Sequence, residues 1–148
     1  MTATGALILF SSLFLIGYWF RYTCTLILRA HANEAAAVEQ ARANHLSFPV
    51  IREKLRSRTQ DLPLSSLHQS LERDYRFVRF LLRHARRSGA EAVEMRLLAL
   101  DYRLMQCWYA LTRYTYRPQA YKALDEMSRI VGYLAQKIGA GSGSFQEA

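Results

Sequence analysis

The sequence contains little cysteine, proline and lysine, and these shortages narrow the class of protein. Only two of 148 residues are cysteine, which excludes a disulfide-rich scaffold. Only three are proline, and an apolar share of 51% excludes collagen-like and disordered chains. The sequence also has no strand pattern, internal repeat or glycine-rich phosphate loop. We therefore predict an all-α fold, with room for one small domain and an appendage.

Charge is absent from the first 20 residues, although the whole chain carries a net charge of +8. The stretch 3–20, ATGALILFSSLFLIGYWF, would be about 27 Å long as a helix, close to the hydrocarbon thickness of a bilayer. Tyr18 and Trp19 lie at its C-terminal end, and Arg21 and Tyr22 follow it. Amphipathic rings and a flanking arginine favour the membrane–water interface. The sequence therefore predicts a transmembrane signal anchor over residues 1–28.

The distribution of basic residues predicts the orientation of this anchor. The N-terminal flank has no Arg or Lys, whereas seven lie within residues 21–58. The positive-inside rule then predicts a single-pass protein of a bacterial inner (plasma) membrane, with its N-terminus outside and its C-terminal domain in the cytoplasm. A cleaved signal peptide, with Ala30-His31-Ala32 as the cleavage site, and a buried soluble helix are the alternatives. The missing basic n-region and the all-round apolarity argue against them.

Proline and glycine residues divide the rest of the chain into predicted helical segments. Residues 29–63 are rich in alanine and are predicted to form a solvated helical stalk, which continues the membrane helix, and a linker that contains Pro49. Residues 64–138 show long helical periodicities and short turns, which predict an antiparallel three-helix bundle. Gly139 is expected to end the last helix, and residues 139–148 are expected to be a flexible tail.

The middle helix of the predicted bundle is apolar on two roughly opposite sides. Glu94 and Asp101 separate the two apolar stripes along one edge, and two arginines separate them along the other. Because both sides need cover, we expect this helix to lie between the other two. If only one side is covered, the second stripe is expected to be a homodimer seam. The first, the heptad stripe, comprises Val93, Leu97, Leu100, Leu104, Cys107 and Leu111, and the second, the Met/Tyr stripe, comprises Met95, Leu98, Tyr102, Met105 and Tyr109.

Arginine outnumbers lysine by 17 to 3, and six arginines lie on one face of the first bundle helix. Phe80 falls within this basic face, a pattern typical of helices that contact anionic lipid. A solvated face and an acidic protein partner are the alternatives. Nucleic acid is not expected, because no nucleic-acid-binding signature occurs. The candidate contact residues are Arg73, Arg76, Arg79, Phe80, Arg83, Arg86 and Arg87.

Two further features call for partners inside the bundle. Asp74 lies in the apolar arc of the arginine-rich helix, and we expect Arg96 or Arg103 to pair with it. Aromatic side chains cluster near the turn before Pro118, where they are expected to wedge helices together or to form a partner hot spot. The cluster comprises Trp108, Tyr109, Tyr114, Tyr116 and Tyr121.

The four histidines and two cysteines do not cluster at metal-ligand spacing, so we expect no metal, no other cofactor and no enzymatic activity. The expected function is that of a membrane-anchored interaction or scaffold protein. Its expected partners are membrane lipid and either another protein or a second copy of the chain. The alternatives are an accessory subunit of a membrane redox or transport complex, joined through the transmembrane helix, and a peripheral module that binds anionic lipid.

Overall fold

A computed structural model describes residues 2–31, 33–57, 63–84 and 89–143, and all regular secondary structure in these ranges is helical. The predicted all-α fold class is confirmed. The first helix forms one compact unit, and the other helices form a second. The helices are α1 (Ala3–His31), α2 (Glu34–Ala43), α3 (Phe48–Arg56), α4 (Leu64–His84), α5 (Gly89–Thr115) and α6 (Arg117–Gly143).

Helix α1 is a continuous helix of 29 residues, which gives it a length of about 43 Å. The stretch from Ala3 to Ala30 is long and apolar enough to cross a membrane. No residue in its most apolar window is buried within the chain. The prediction of an apolar helix of membrane-spanning length is confirmed.

Helix α6 is the centre of the second unit, because α2, α3, α4 and α5 all pack against it. The prediction that α5 would be the central helix is therefore wrong. Small residues spaced along α6 let the neighbouring helices approach closely from several directions. The spacing of large apolar residues, on which the prediction depended, does not show this. The buried positions of α6 include Ala120, Ala123, Leu124, Met127, Ser128, Ile130, Val131, Gly132, Tyr133, Leu134 and Ala135.

The alanine-rich segment is helical, as predicted, but it packs against α6 instead of standing in solvent. Ala37 and Ala41 of α2 are buried, and so are Phe48 and Ile51 of α3. A Cβ on Gly132 would lie 3.1 Å from the Phe48 ring, so the glycine of α6 makes room for that ring. The small methyl side chains of alanine allow α2 to pack closely against α6, although α2 has no wide apolar stripe. The segment predicted as a stalk is therefore part of the bundle.

Backbone hydrogen bonds end α2 at the turn before α3, although the turn contains no glycine. The amide of Leu46 donates to the carbonyl of Ala41 at 2.8 Å, and that of His45 donates to Arg42 at 3.4 Å. These two bonds form a Schellman motif, in which the residue after the helix adopts the left-handed conformation. His45 occupies that position with φ of 53°. A non-glycine residue there is strained by about 1 kcal/mol or more.

Gly139 does not end the last helix, and that prediction is wrong, because α6 continues to Gly143. Gly139 instead marks a close approach between helices. A Cβ at this position would lie 2.6 Å from Nε2 of Gln40 in α2. The part of the predicted tail from residue 144 onward lies outside the described residues.

Candidate interaction surfaces

Helix α5 buries the Met/Tyr stripe inside the chain. Leu98 and Tyr102 have no accessible surface, Met105 and Tyr109 have almost none, and Met95 is half-buried. These residues are occupied by contacts within the chain. The prediction that they form a homodimer seam is therefore wrong.

Two stacked ring pairs join α5 to α4. The rings of Tyr102 and Tyr75 stack with their centroids 3.6 Å apart, and those of Tyr109 and His68 stack at 4.5 Å. Burial lowers the pKa of His68, which favours the neutral imidazole at neutral pH. Burial also raises the pKa of Tyr102, whose phenol is likewise neutral. The contact between α4 and α5 is therefore uncharged and aromatic.

The heptad stripe lies on the outer side of α5, and the expectation that it would be covered is wrong. Leu100 is 56% accessible and Leu111 is 67% accessible. In the described part of the chain α5 packs mainly against α6 and also contacts α4 through the stacked rings of the Met/Tyr stripe, which lies on the opposite side of α5. A continuous apolar row of this kind is typical of a protein interaction site. Val93, Leu104 and Cys107 are also exposed, Leu97 is half-buried, and exposed Tyr114 continues the spacing.

The two edges of the heptad stripe differ in chemistry. Arg96 and Arg103 are exposed along one edge. On the other edge Glu94 is engaged inside the chain, because the hydroxyl of Tyr133 donates a hydrogen bond to its Oε1. Trp108 also lies on that edge and is 46% accessible. The stripe is thus bordered by positive charge on one side and by an indole ring on the other.

The basic face of α4 is exposed in the part that the structure describes. Arg73, Arg76, Arg79 and Arg83 are all exposed, whereas Arg86 and Arg87 lie outside the described residues. Exposed Phe77 joins Phe80, which is 60% accessible, so this face combines guanidinium groups with apolar rings.

Local contacts hold part of this basic face in place. Arg76 forms an ion pair with Glu72 one turn earlier, at 2.5 Å. The guanidinium of Arg79 lies 6.0 Å from the centre of the Tyr75 ring. These contacts are exposed or partly exposed, so they leave the face accessible to an anionic partner.

Asp74 is buried, as its position in the apolar arc indicates, but Arg96 and Arg103 are not its partners. Its Oδ2 accepts a hydrogen bond from the backbone amide of Ser47 at 2.5 Å, and its Oδ1 lies 4.0 Å from the guanidinium of Arg73. The carboxylate therefore lies at the N-terminus of α3, where free amides and the helix dipole favour negative charge. Burial nevertheless raises the pKa of Asp74, and hydrogen bonds from the amides of Ser47 and Phe48 oppose that shift.

The aromatic cluster at the turn between α5 and α6 contains both buried and exposed side chains. Tyr109 is buried, as expected of a packing residue, and Tyr121 is half-buried. Trp108, Tyr114 and Tyr116 are exposed. Most of this cluster is therefore surface that adjoins the heptad stripe.

Helix α1 exposes the aromatic side chains that the sequence predicts at the membrane–water interface. Tyr18, Trp19 and Tyr22 are at least half accessible, and the rings of Trp19 and Tyr22 meet edge to face at 6.2 Å. Arg21 between them is half-buried. The structure thus places the four predicted interface residues together on one continuous helix.

In the residues that the structure describes, no three His, Cys, Asp or Glu side chains are grouped so that they could hold a metal ion. Comparison with protein-family models, with curated proteins and with solved structures found no match to this chain. In the ranges that the structure describes, the fold and its surfaces define a class: an all-helical protein with one apolar helix of membrane-spanning length and a helical domain that exposes an apolar stripe and a basic face.

Proposed function

We propose that this chain is a membrane-anchored, non-enzymatic interaction module in which α1 is the anchor and the heptad stripe of α5 is the contact surface. The observation that carries the proposal is the division of α5 into a core side and an exposed apolar side. A row of leucines left in water is unfavourable by about 25 cal/mol per Å² of apolar surface, so a partner that covers it is stabilised.

Anchoring would strengthen such a contact by confining it to the membrane. A partner in the same membrane meets the domain at a raised effective concentration, so a modest interface is sufficient for binding. The basic residues that follow the apolar segment favour a cytoplasmic domain and an N-terminus outside, as expected for a bacterial inner membrane.

The anchor is tested with the full-length chain in isolated membranes. We expect it to resist extraction by alkaline carbonate and to be released by detergent, and protease added from the cytoplasmic side should digest the domain. Release by carbonate, or recovery of a chain shortened at residue 32, would overturn the anchor.

The contact surface is tested with a photoreactive benzoylphenylalanine in place of Leu104. We expect a discrete covalent adduct in membranes, and we expect it to be lost when Leu100→Glu is added to the same chain. The matched control carries the photoreactive residue in place of Arg129, an exposed position on α6 outside the heptad stripe. Equal adducts at both positions, or none at either, would contradict the proposed surface.

A second candidate function, binding of anionic lipid by the α4 face, is favoured by the exposed Phe77 and Phe80 among arginines. Each arginine near an anionic surface contributes about 1 kcal/mol, within a Debye length of about 10 Å at 0.1 M salt. A single tryptophan introduced by Phe80→Trp, in a chain with Trp19→Phe and Trp108→Phe, reports insertion through quenching by brominated lipid.

We expect quenching of this tryptophan in vesicles of anionic lipid, and we expect it to fall with salt and with Arg79→Gln and Arg83→Gln. Equal quenching in neutral vesicles would show that charge does not matter. No quenching in either would leave the face solvated. Co-purification of the chain with a large membrane complex that survives Leu100→Glu would instead favour an accessory subunit joined through α1.

A further inference from the structure

The heptad stripe has the regular spacing of a coiled-coil seam. From Val93 to Tyr114 its apolar positions alternate in steps of four and three, which keeps them on one side of a helix through three heptads. This stretch of 22 residues is about 33 Å long. In coiled-coil notation the a positions are Leu97, Leu104 and Leu111, and the d positions are Val93, Leu100, Cys107 and Tyr114.

We infer that the occupant of this seam is a second copy of the chain, with the two α5 helices side by side and parallel. The inference rests on the proposed function, because it names the partner of the surface proposed there. The seam is open to such an approach: no helix in the described part of the chain packs on the side that carries Leu100, Leu104 and Leu111.

The charges beside the seam select the parallel arrangement. Arg96 and Arg103 occupy g positions on one edge, and Trp108 occupies an e position on the other. In a parallel pair each g position faces the e position five residues later in the partner helix, so Arg103 meets Trp108 of the second copy. A guanidinium over an indole ring is a favourable cation–π contact.

An antiparallel pair would bring like charges together. In that arrangement the g edge of one helix faces the g edge of the other, so Arg96 and Arg103 of both copies line up along one side. The acids Glu94 and Asp101 lie on the opposite, e edge, where Asp101 is buried and Glu94 is bonded to Tyr133 within its own chain, so they do not compensate these arginines. The edge chemistry is therefore self-complementary only when the two helices run in the same direction.

Cys107 supplies a direct reporter of this geometry. In a parallel pair the same d position of both helices lies side by side, within the Cα separation of about 4.4–6.8 Å that a disulfide spans. In an antiparallel pair a positions face d positions, so with the helices aligned over residues 93–111 Cys107 faces Leu97 instead. The thiol of Cys107 is free and exposed.

The experiment uses full-length protein in membranes with Cys24→Ser, so that Cys107 is the single thiol. Copper–phenanthroline with oxygen serves as the oxidant that converts two thiols to a disulfide. We expect a reducible band at twice the chain mass of 17.1 kDa. We expect Leu104→Glu to reduce that band about tenfold or more, because it places an unpaired charge in the seam. Leu104 is exposed in the single chain, so the variant should keep its helical circular dichroism.

Matched variants separate the other outcomes. A chain with Cys107→Ser and Arg129→Cys carries its single thiol on exposed α6 and should not cross-link. If it cross-links as strongly, the contacts are collisional and the inference is overturned. Cross-linking that appears only when Leu97→Cys is combined with native Cys107 would show antiparallel helices, which also overturns it.

Failure of the second-copy inference can be distinguished from failure of the proposed interaction module. If Cys107 does not cross-link and the photoreactive adduct at Leu104 has a mass other than that of a dimer, the seam binds a different protein. That outcome overturns the second copy but supports the interaction module. Absence of any adduct would overturn both.

Discussion

Replacement of Gly132 by alanine should destabilise the helical domain, although alanine is the better helix former. Gly132 is buried on α6 with the Phe48 ring against it, and a Cβ there would lie 3.1 Å from that ring. The gain in helix propensity is about 1 kcal/mol. The cost of overpacking is about 1–3 kcal/mol, because Phe48 is 1% accessible and has little room to move. The expected net loss is about 0–2 kcal/mol.

The matched control is Gly139→Ala on the same helix. Its nearest neighbours are atoms of the Gln40 side chain, which can rotate away more easily than a buried ring. We therefore expect a gain of up to about 1 kcal/mol there from propensity alone. Thermal unfolding of the full chain in mild detergent, followed by circular dichroism, measures both variants, at roughly 2–8 °C per kcal/mol for domains in this size range.

A third variant tests the cause of the effect. Phe48→Leu combined with Gly132→Ala should recover part of the loss, with a coupling of about 0.5–3 kcal/mol between the two positions. Hydrogen exchange of α3 amides should report the same change locally. If Gly132→Ala stabilises the domain as much as Gly139→Ala does, the ring is not wedged against α6 and the packing described here is wrong.

Other substitutions probe single interactions within the helical domain, each measured by the same unfolding assay. Asp74→Ala should lose about 0.5–2 kcal/mol, because the amide of Ser47 at the N-terminus of α3 loses its acceptor. Asp74→Asn should lose less, because its amide oxygen can still accept that hydrogen bond, and equal loss in both variants would argue against the bond. Burial raises the pKa of the Asp74 carboxyl, so the contribution of this group to stability should fall as the pH rises from 3.8 to the raised pKa. Burial lowers the pKa of His68 below 6.5, so the stability that neutral His68 contributes is present above pH 6.5 and is lost as the pH falls. His68→Phe should therefore make the free energy of unfolding less dependent on pH in this range. An unchanged pH dependence would contradict this role of His68. His45→Gly should gain about 1 kcal/mol by relieving the left-handed backbone, and a loss would mean that its side chain matters more than its φ.

Several elements follow from local sequence pattern. The apolar run up to Phe20 predicts α1 because an uninterrupted apolar stretch of that length has few stable alternatives to a helix. The leucine periodicity of α4 predicts its buried face, and Leu67, Leu71 and Val78 are indeed buried. The two-sided apolarity of α5 was also readable, since it depends only on spacing.

Other features depended on contacts between distant segments. The sequence does not indicate that Asp74 caps α3, because the amide of Ser47 is brought to it by folding from 27 residues away. Nor does it indicate the Schellman turn at His45, where glycine, the usual signal, is missing.

The sequence by itself determined that the chain is helical, that its first helix is apolar on all sides, and that α5 carries two apolar stripes, because helix propensity and periodicity are local properties. Only the tertiary structure decided which stripe is covered. The choice depended on α6, whose small residues accept four neighbouring helices and so leave α5 at the edge of the domain. Close approach between helices is set by pairs of residues far apart in the chain, such as Phe48 and Gly132, and no single helix encodes it.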